Sequence, residues 1–286
     1  MASPSIAHYG TTIIESPPPE GVDQKSIPAT GALAGTLRLL EILGFEPLLE
    51  NMYPGMGRQY IRRRGQPGDS DYVEFDAFTS YSAVERPQTP CPRIGDTLFR
   101  ITHHNPVDVF RRARAEGLVH PLVSDAVESF ESGRNDWVLF RGPNGQGIEL
   151  GPTQTARADN HVIYVWTDPA SLDATARDYE AHFGVLPAAA GSFHGLAHCT
   201  MLRRERPGIS IGLLTPNAGE HVAPRWTDDI FLEAGYSHFR LGAPDKQRAL
   251  AASRQAFPDG GDVSFVYFRD SYLELVQVQA DDPALA

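Results

Sequence analysis

Hydrophobic and polar residues between positions 161 and 215 are arranged as one strand, one helix and three further strands. The segment "HVIYVW" (161–166) is predicted to be a strand, and its alternation places His161 on the same face as Ile163 and Val165. The apolar residues of the next segment recur at helical spacing and form one stripe: Leu172, Ala176, Tyr179 and Phe183. Asp168 can cap this helix at its N-terminus, and Gly184 can end it. The strand candidates that follow are "VLPAAAG", "LAHCTMLRRE" and "ISIGLLT".

The same order of elements can be traced three more times, so the chain contains an internal repeat of four units. The first unit begins with "IAHYGTTIIES" and a helix at "GALAGTLRLLEILG". The second begins with "DTLFRITHHNP" and "VDVFRRARAEG", and the fourth begins with "GYSHFRLGAPD" and "KQRALAASRQAF". Each helix is followed by a mostly antiparallel run of strands. The pattern therefore predicts four βαβββ modules of the α+β class.

Length, charge and cysteine content narrow the class of protein. A chain of 286 residues is long for a single core and favours two domains. The formal net charge of -11 argues against a nucleic-acid partner. Cys91 and Cys199 are far apart and fit reduced thiols better than a disulfide framework. No apolar run approaches the roughly 18 residues of a membrane span, and no signal peptide is recognisable, so we expect a cytoplasmic protein without a membrane partner.

The repeat resembles the vicinal oxygen chelate superfamily, as does "FRGPNGQGIELGPT" (140–153), where a Gly-rich turn precedes an "IEL" strand. That superfamily includes glyoxalase I, extradiol ring-cleaving dioxygenases and 4-hydroxyphenylpyruvate dioxygenase. The resemblance implies that the modules pair into curved mixed sheets, each enclosing a cavity with helices outside. We expect modules 1 and 2 to form an N-terminal domain (residues 1–152) and modules 3 and 4 a C-terminal domain (153–286).

By the same resemblance, metal ligands lie on the first and last strands of paired modules. His161 opens the first strand of module 3, His238 in "GYSHFRLG" lies on that of module 4, and Glu274 in "SYLELVQV" lies on the last strand. Two imidazoles and a carboxylate are typical of non-haem iron sites, and a carboxylate is costly to bury unless it is paired or binds a metal. We therefore predict that these three residues hold Fe(II), or else Mn(II) or another divalent metal, in the C-terminal domain.

Structural interpretations of the same residues remain open. His161 could be a core histidine bonded to a backbone carbonyl, and Glu274 could form a salt bridge with Arg240 or Arg269. Module 3 has Gly212 where a glutamate would stand. Three protein ligands resemble the ring-cleaving dioxygenases more than the glyoxalase I arrangement.

The N-terminal half provides a comparison. It contains His8, Glu74 and Glu149 on predicted strands, but the first strand of module 2 has no histidine at Thr97 or Leu98. We interpret this half as a duplicate that has lost its metal, while a second site at His8, Glu74 and Glu149 remains an alternative.

The resemblance to extradiol enzymes also implies residues around the metal. His198 is the first candidate for the acid–base catalyst and His194 the second, because an imidazole can accept and return a proton near neutral pH. Tyr267 resembles the tyrosine that precedes the ligand glutamate. Three residues that share strands with the metal candidates are expected to bind substrate: Arg240, Tyr236 and Tyr272.

The first functional hypothesis is an Fe(II) extradiol-type dioxygenase that cleaves a catechol-like aromatic substrate with O2. An alternative keeps the metal without O2, as an isomerase, epimerase or lyase acting through an enediolate. A third is a non-catalytic protein that binds a small molecule. The sheet edges expected of such modules favour a homo-oligomer.

Overall fold

The structure is a computed structural model that describes residues 9–14, 31–53, 57–64, 72–78, 92–122, 124–153, 162–203, 210–223, 237–255 and 263–277. Four modules can be followed within these ranges, each with a first strand, a helix and three further strands. No helix within them is long and apolar enough to cross a membrane.

The first two modules occupy the N-terminal half. Module 1 consists of β1 (Tyr9–Ile14), α1 (Gly31–Ile42), β2 (Phe45–Tyr53), β3 (Gly57–Arg64) and β4 (Tyr72–Phe78). Module 2 consists of β5 (Thr97–His103), α2 (Pro106–Ala115), β6 (His120–Pro121), α3 (Ser124–Glu131), β7 (Val138–Arg141) and β8 (Gly147–Pro152). Helix α3 is an insertion that the strand pattern of the sequence did not indicate.

The other two modules follow the same plan. Module 3 consists of β9 (Val162–Trp166), a 3-10 turn (Pro169–Ser171), α4 (Leu172–Phe183), β10 (Leu186–Phe193), β11 (Ala197–Arg203) and β12 (Ser210–Pro216). Module 4 consists of β13 (Ser237–Ala243), α5 (Lys246–Ala251), β14 (Arg254–Gln255), β15 (Val263–Phe268) and β16 (Ser271–Gln277). Helix α5 is shorter than predicted because Arg254 and Gln255 pair with β15 instead of continuing the helix.

The modules pair into two eight-stranded mixed sheets. Strand β1 runs antiparallel to β13, so modules 1 and 4 form the first sheet, with the order β14-β15-β16-β13-β1-β4-β3-β2. Strand β5 runs antiparallel to β9, so modules 2 and 3 form the second sheet, with the order β10-β11-β12-β9-β5-β8-β7-β6. The predicted α+β class and paired modules are confirmed.

The sheets pair the modules differently from the prediction, which joined module 1 with module 2 and module 3 with module 4. A division at residue 152 separates β8 from β9, which belong to the same sheet. Modules 2 and 3 are closer in sequence than modules 1 and 2, since β8 ends at Pro152 and β9 begins at Val162, whereas β4 ends at Phe78 and β5 begins at Thr97. A short connection is therefore compatible with either pairing. Once modules 2 and 3 pair, the two terminal modules are left to pair with each other.

One continuous hydrophobic core lies on the helix side of both sheets. It includes Phe239 and Leu273 of the first sheet, Ile163 and Ile211 of the second, and Tyr179 of α4. Helix α1 contacts α2, and α4 contacts α5. The helices therefore cover one face of each sheet, and we call the opposite face of each sheet its inner face.

Candidate functional site

Equivalent positions in the two sheets follow from the strand register. At the centre of each sheet two first strands run antiparallel, with Tyr9 opposite Phe239 in the first sheet and Phe99 opposite Ile163 in the second. The next residue on each of these four strands is paired with a residue on the last strand of the same module. The four pairs are Gly10 with Glu74, Arg100 with Glu149, Tyr164 with Gly212, and Arg240 with Glu274.

The first sheet places three potential metal ligands on one face. Gly10 lies opposite both Glu74 on β4 and His238 on β13, and Arg240 lies opposite Glu274 on β16. Directly opposed residues share a face, as do residues two positions apart on one strand. Glu74, His238 and Glu274 therefore occupy the same face. Glu74 and His238 are two strand spacings apart, roughly 10 Å between Cα atoms, with only a glycine between them.

The opposite face of these strands belongs to the core. Phe239, Leu273 and Leu275 are completely buried, and Leu241 is nearly so. Their burial agrees with the predicted alternation, which set Phe239 and Leu241 against His238 and set the two leucines against Glu274. The three ligand candidates consequently occupy the inner face.

His161 lies outside the described residues, and the strand that follows it belongs to the other sheet. Strand β9 is part of the second sheet, whereas His238 and Glu274 lie in the first. Ile163, the predicted face-mate of His161, is buried in the helix-side core. The register also makes Val162 the equivalent of His238, since Val162 immediately precedes Ile163 and His238 immediately precedes Phe239, the equivalent residues of the two central strand pairs. This arrangement argues against a centre formed by His161, His238 and Glu274.

The tyrosines predicted to lie near Glu274 share its face. Phe265 pairs with Glu274, and Tyr267 pairs with Tyr272, in the hairpin of β15 and β16. Tyr267 is buried, and the guanidinium carbon of Arg254 lies 4.1 Å from the centre of its ring. Both tyrosines are therefore on the inner face of the first sheet.

The arginines proposed as structural partners of Glu274 are placed differently. Arg240 occupies the register position beside Glu274, on the inner face. Arg269 forms an ion pair with Asp178 of α4, which favours Arg240 over Arg269 as any salt-bridge partner. Tyr236, the remaining substrate-binding candidate, lies outside the described residues.

In the second sheet the equivalent glutamate is bound by protein groups. The Glu149 carboxylate is completely buried and accepts hydrogen bonds from Arg100 Nε at 2.5 Å and Arg100 Nη2 at 3.0 Å. His194 Nε2 lies 2.5 Å from Glu149 Oε1. His194 adopts a positive φ of 50° in the turn between β10 and β11, where it reaches this carboxylate. Glu149 therefore already has a bidentate cationic partner.

These contacts set the charge state of Glu149. Burial by itself would raise the pKa of the carboxyl group, but the hydrogen bonds from His194 and Arg100, together with their charges, outweigh it. The net effect holds the pKa of Glu149 below its ordinary value. The group is consequently a buried carboxylate neutralised by a guanidinium, which explains how so apolar a strand tolerates it.

Aromatic rings fill the space around this ion pair. The guanidinium carbon of Arg100 lies 4.2 Å from the ring centre of Trp137 and 5.4 Å from that of Tyr164. A side chain at Gly151 would overlap the Trp137 ring, and one at Gly212 would overlap the Tyr164 ring. The two glycines thus leave room for these rings, and Gly212 does so at the position equivalent to the glutamates of the other modules. Among the side chains that the structure describes, no group of three His, Cys, Asp or Glu residues could hold a metal ion.

The two histidines predicted to be acid–base catalysts lie in the second sheet. His198 is exposed on β11, between Ala197 and Cys199, which face the buried cluster of the inner face. His194 binds Glu149, as described above. Neither imidazole is on a strand of the first sheet, and this placement argues against their predicted roles beside Glu274. Cys199 is a free, buried thiol, as expected, while Cys91 lies outside the described residues.

Sequence reasoning missed the association of Glu74 with His238 and Glu274, and it missed the ion pair of Arg100 and Glu149. The sequence does contain a signal that modules 1 and 4 are equivalent at this site. "IAHYG" and "YSHFR" align without a gap, placing His8 two residues before Gly10 and His238 two residues before Arg240. His8 itself lies outside the described residues.

No protein-family model matches the chain, and no curated protein sequence matches it. Among solved structures, the chain is similar to glyoxalase I from Zea mays, with 13% identity and a TM-score of 0.58, covering 94% of this chain and 91% of that one. It is also similar to a putative dioxygenase from Bacillus subtilis, with 12% identity and a TM-score of 0.54, covering 94% and 84% of the two chains. Both belong to the vicinal oxygen chelate superfamily. The chain therefore has the vicinal oxygen chelate fold over nearly its whole length.

Proposed function

We propose that the protein is a divalent-metal-dependent enzyme whose metal is held on the inner face of the first sheet by Glu74, His238 and Glu274. The observation that carries this proposal is the register of β4, β1, β13 and β16, which puts all three on one face across Gly10. His8, at the position equivalent to His238, is the proposed fourth ligand.

The donor set suits a divalent transition metal. Imidazole and carboxylate groups bind Zn(II), Mn(II) and Fe(II), and sites that combine them are typical of catalytic centres. The second sheet supports the assignment of the metal to the first sheet, because its equivalent positions lack such a set of ligands. Its four equivalent positions carry one glutamate, which is bound to Arg100, together with Leu98, Val162 and Gly212.

The reaction that we propose is a proton transfer beside a carbonyl group, as in an isomerase, epimerase or lyase. A divalent cation at this site would act as a Lewis acid toward two neighbouring oxygens of the substrate. Modules 1 and 4 each contribute a glutamate at an equivalent position, so one carboxylate can balance charge while the other accepts a proton from carbon. The likeness in fold to glyoxalase I supports this choice.

An Fe(II) ring-cleaving dioxygenase is the second candidate. The position of Tyr267 and Tyr272 on the face of Glu274 favours it, because a phenol there could donate a hydrogen bond to a catechol oxygen. The likeness in fold to a putative dioxygenase is compatible with it. It ranks second because His198 and His194, the acid–base candidates that this chemistry required, lie in the second sheet.

Solvent exchange without oxygen tests the first candidate. The protein would be reconstituted with Zn(II), Mn(II) or Fe(II) under anaerobic conditions and incubated in D2O with a panel of small α-hydroxy ketones and α-hydroxy aldehydes. We expect the proton on the carbon beside the carbonyl group to exchange for deuterium, which NMR would detect as loss of its signal. Glu74→Gln should slow it by about 100-fold or more, because it removes a charged ligand and a candidate base.

Glu149→Gln is the matched control, since Glu149 occupies the equivalent position in the second sheet. It should leave the exchange rate unchanged in protein that retains the wild-type circular dichroism spectrum. Equal losses in Glu74→Gln and Glu149→Gln would contradict the assignment to the first sheet. Oxygen uptake with catechols, and no anaerobic exchange, would select the dioxygenase instead.

A further inference from the structure

The second sheet contains a cavity that the proposed metal centre does not use. Its volume is about 500 Å³, within the usual range of small-molecule sites. Leu98, Leu139 and Gly147 of module 2 and Trp166 and Phe193 of module 3 contribute to its walls. The cavity is thus built by both modules of the second sheet.

The apolar wall of the cavity extends to its mouth. Among the described residues, three large hydrophobic side chains are exposed: Leu122, Leu186 and Leu196. Leu122 and Leu196 line this cavity, with exposures of 40% and 37%, and Leu186 does not. A molecule bound in the cavity would cover both leucines, and the removal of this apolar surface from water would favour binding.

Charged groups of both signs line the cavity. Asp96 and Glu220 contribute carboxylates, Arg141 contributes a guanidinium and His221 contributes an imidazole. Thr97, also in the wall, offers a hydroxyl group that can donate or accept a hydrogen bond. This lining favours an uncharged ligand with a small polar group over an anion or a cation.

Protein groups occupy the position of the second sheet that is equivalent to the proposed metal centre. The Glu149 carboxylate at the metal-equivalent position is bound by Arg100 and by His194, and Trp137 and Tyr164 enclose the guanidinium. We propose that the cavity is a second, metal-independent binding site for an uncharged aromatic molecule of one or two rings. Trp166 and Phe193 supply the aromatic surfaces against which such a molecule packs.

Calorimetric titration with 2-naphthol as the probe tests this site. The titration would use the full chain with EDTA present, and saturable binding to a single site is expected. Leu196→Arg places a charge at the mouth and should weaken binding by about tenfold or more, since it removes apolar contact and adds a charge to be desolvated. Leu139→Trp, which fills the cavity, should abolish binding.

Leu186→Arg is the matched control, because Leu186 is an equally exposed leucine on β10 that does not line the cavity. It should bind 2-naphthol with the wild-type affinity, as should Glu74→Gln. Absence of saturable binding to the wild-type protein would overturn the proposal. Binding that requires metal, or that Leu196→Arg and Leu186→Arg weaken equally, would also overturn it. None of these outcomes depends on the metal centre of the first sheet.

Discussion

Removal of the Arg100 side chain should destabilise the protein far more than removal of an exposed arginine. The carboxylate of Glu149 is completely buried, and the side chain of Arg100 is 15% exposed, so Arg100→Met leaves a buried carboxylate without its guanidinium partner. Breaking a buried ion pair from one side costs about 3–5 kcal/mol. The stacking of the guanidinium on Trp137 is also lost.

Urea unfolding followed by tryptophan fluorescence would measure this cost as a change in the free energy of unfolding. Arg112→Met is the matched control, because Arg112 is 58% exposed and its ion pair with Glu116 spans 3.5 Å. That change should cost less than about 1 kcal/mol. The double variant Arg100→Met/Glu149→Met should recover most of the loss, since it removes both charges. Similar costs for Arg100→Met and Arg112→Met would refute the role assigned to the buried pair.

Three further predictions concern the second sheet. The folded pKa of Glu149 lies below its unfolded value, so its contribution to stability is complete above the unfolded pKa and is lost as the pH falls through the lower, folded pKa. Glu149→Gln should therefore flatten the acid limb of the stability profile at pH values below the ordinary glutamate pKa. Gly212→Ala should lower the free energy of unfolding by about 1–3 kcal/mol, because the new methyl group overlaps Tyr164. Burial raises the pKa of the Cys199 thiol to about 11, so in a Cys91→Ser background a disulfide reagent at pH 8 should label Cys199 only after unfolding.

Much of the fold could be predicted from local pattern. Module 3 shows this well, since its helix stripe and Gly184, which ends α4 with a φ of 64°, lie where the pattern indicated. Asp168 caps the 3-10 turn that leads into α4 and not α4 itself, by accepting a hydrogen bond from Ala170 N. The pairing of modules could not be read in the same way. Every module begins with a similar apolar strand, and the contacts that join the paired modules, such as His194 Nε2 to Glu149 Oε1 at 2.5 Å, link residues far apart in sequence.

The candidate site was likewise predicted only in part, because local pattern shows the face of a residue but not which distant strand lies beside it. Alternation correctly predicted which neighbours of His238 and Glu274 are buried, since Phe239 and the leucines beside them lie in the core. It could not show that β4 lies two strands from β13, which is what adds Glu74 to the set. The assignment of His161 depended on counting from "NHVIYVW" to "YSHFRLG". A shift of one residue in that count exchanges the two faces of a strand.

Metal content is the most direct test of the proposed centre. Wild-type protein and variants would be reconstituted anaerobically with Zn(II), Mn(II) or Fe(II), separated from free metal and measured by elemental analysis. The wild-type protein, His161→Ala and Glu149→Gln should retain one equivalent, whereas Glu74→Gln, His238→Ala and Glu274→Gln should lose it. Metal that is retained in Glu74→Gln but lost in His161→Ala would contradict a centre formed by modules 1 and 4.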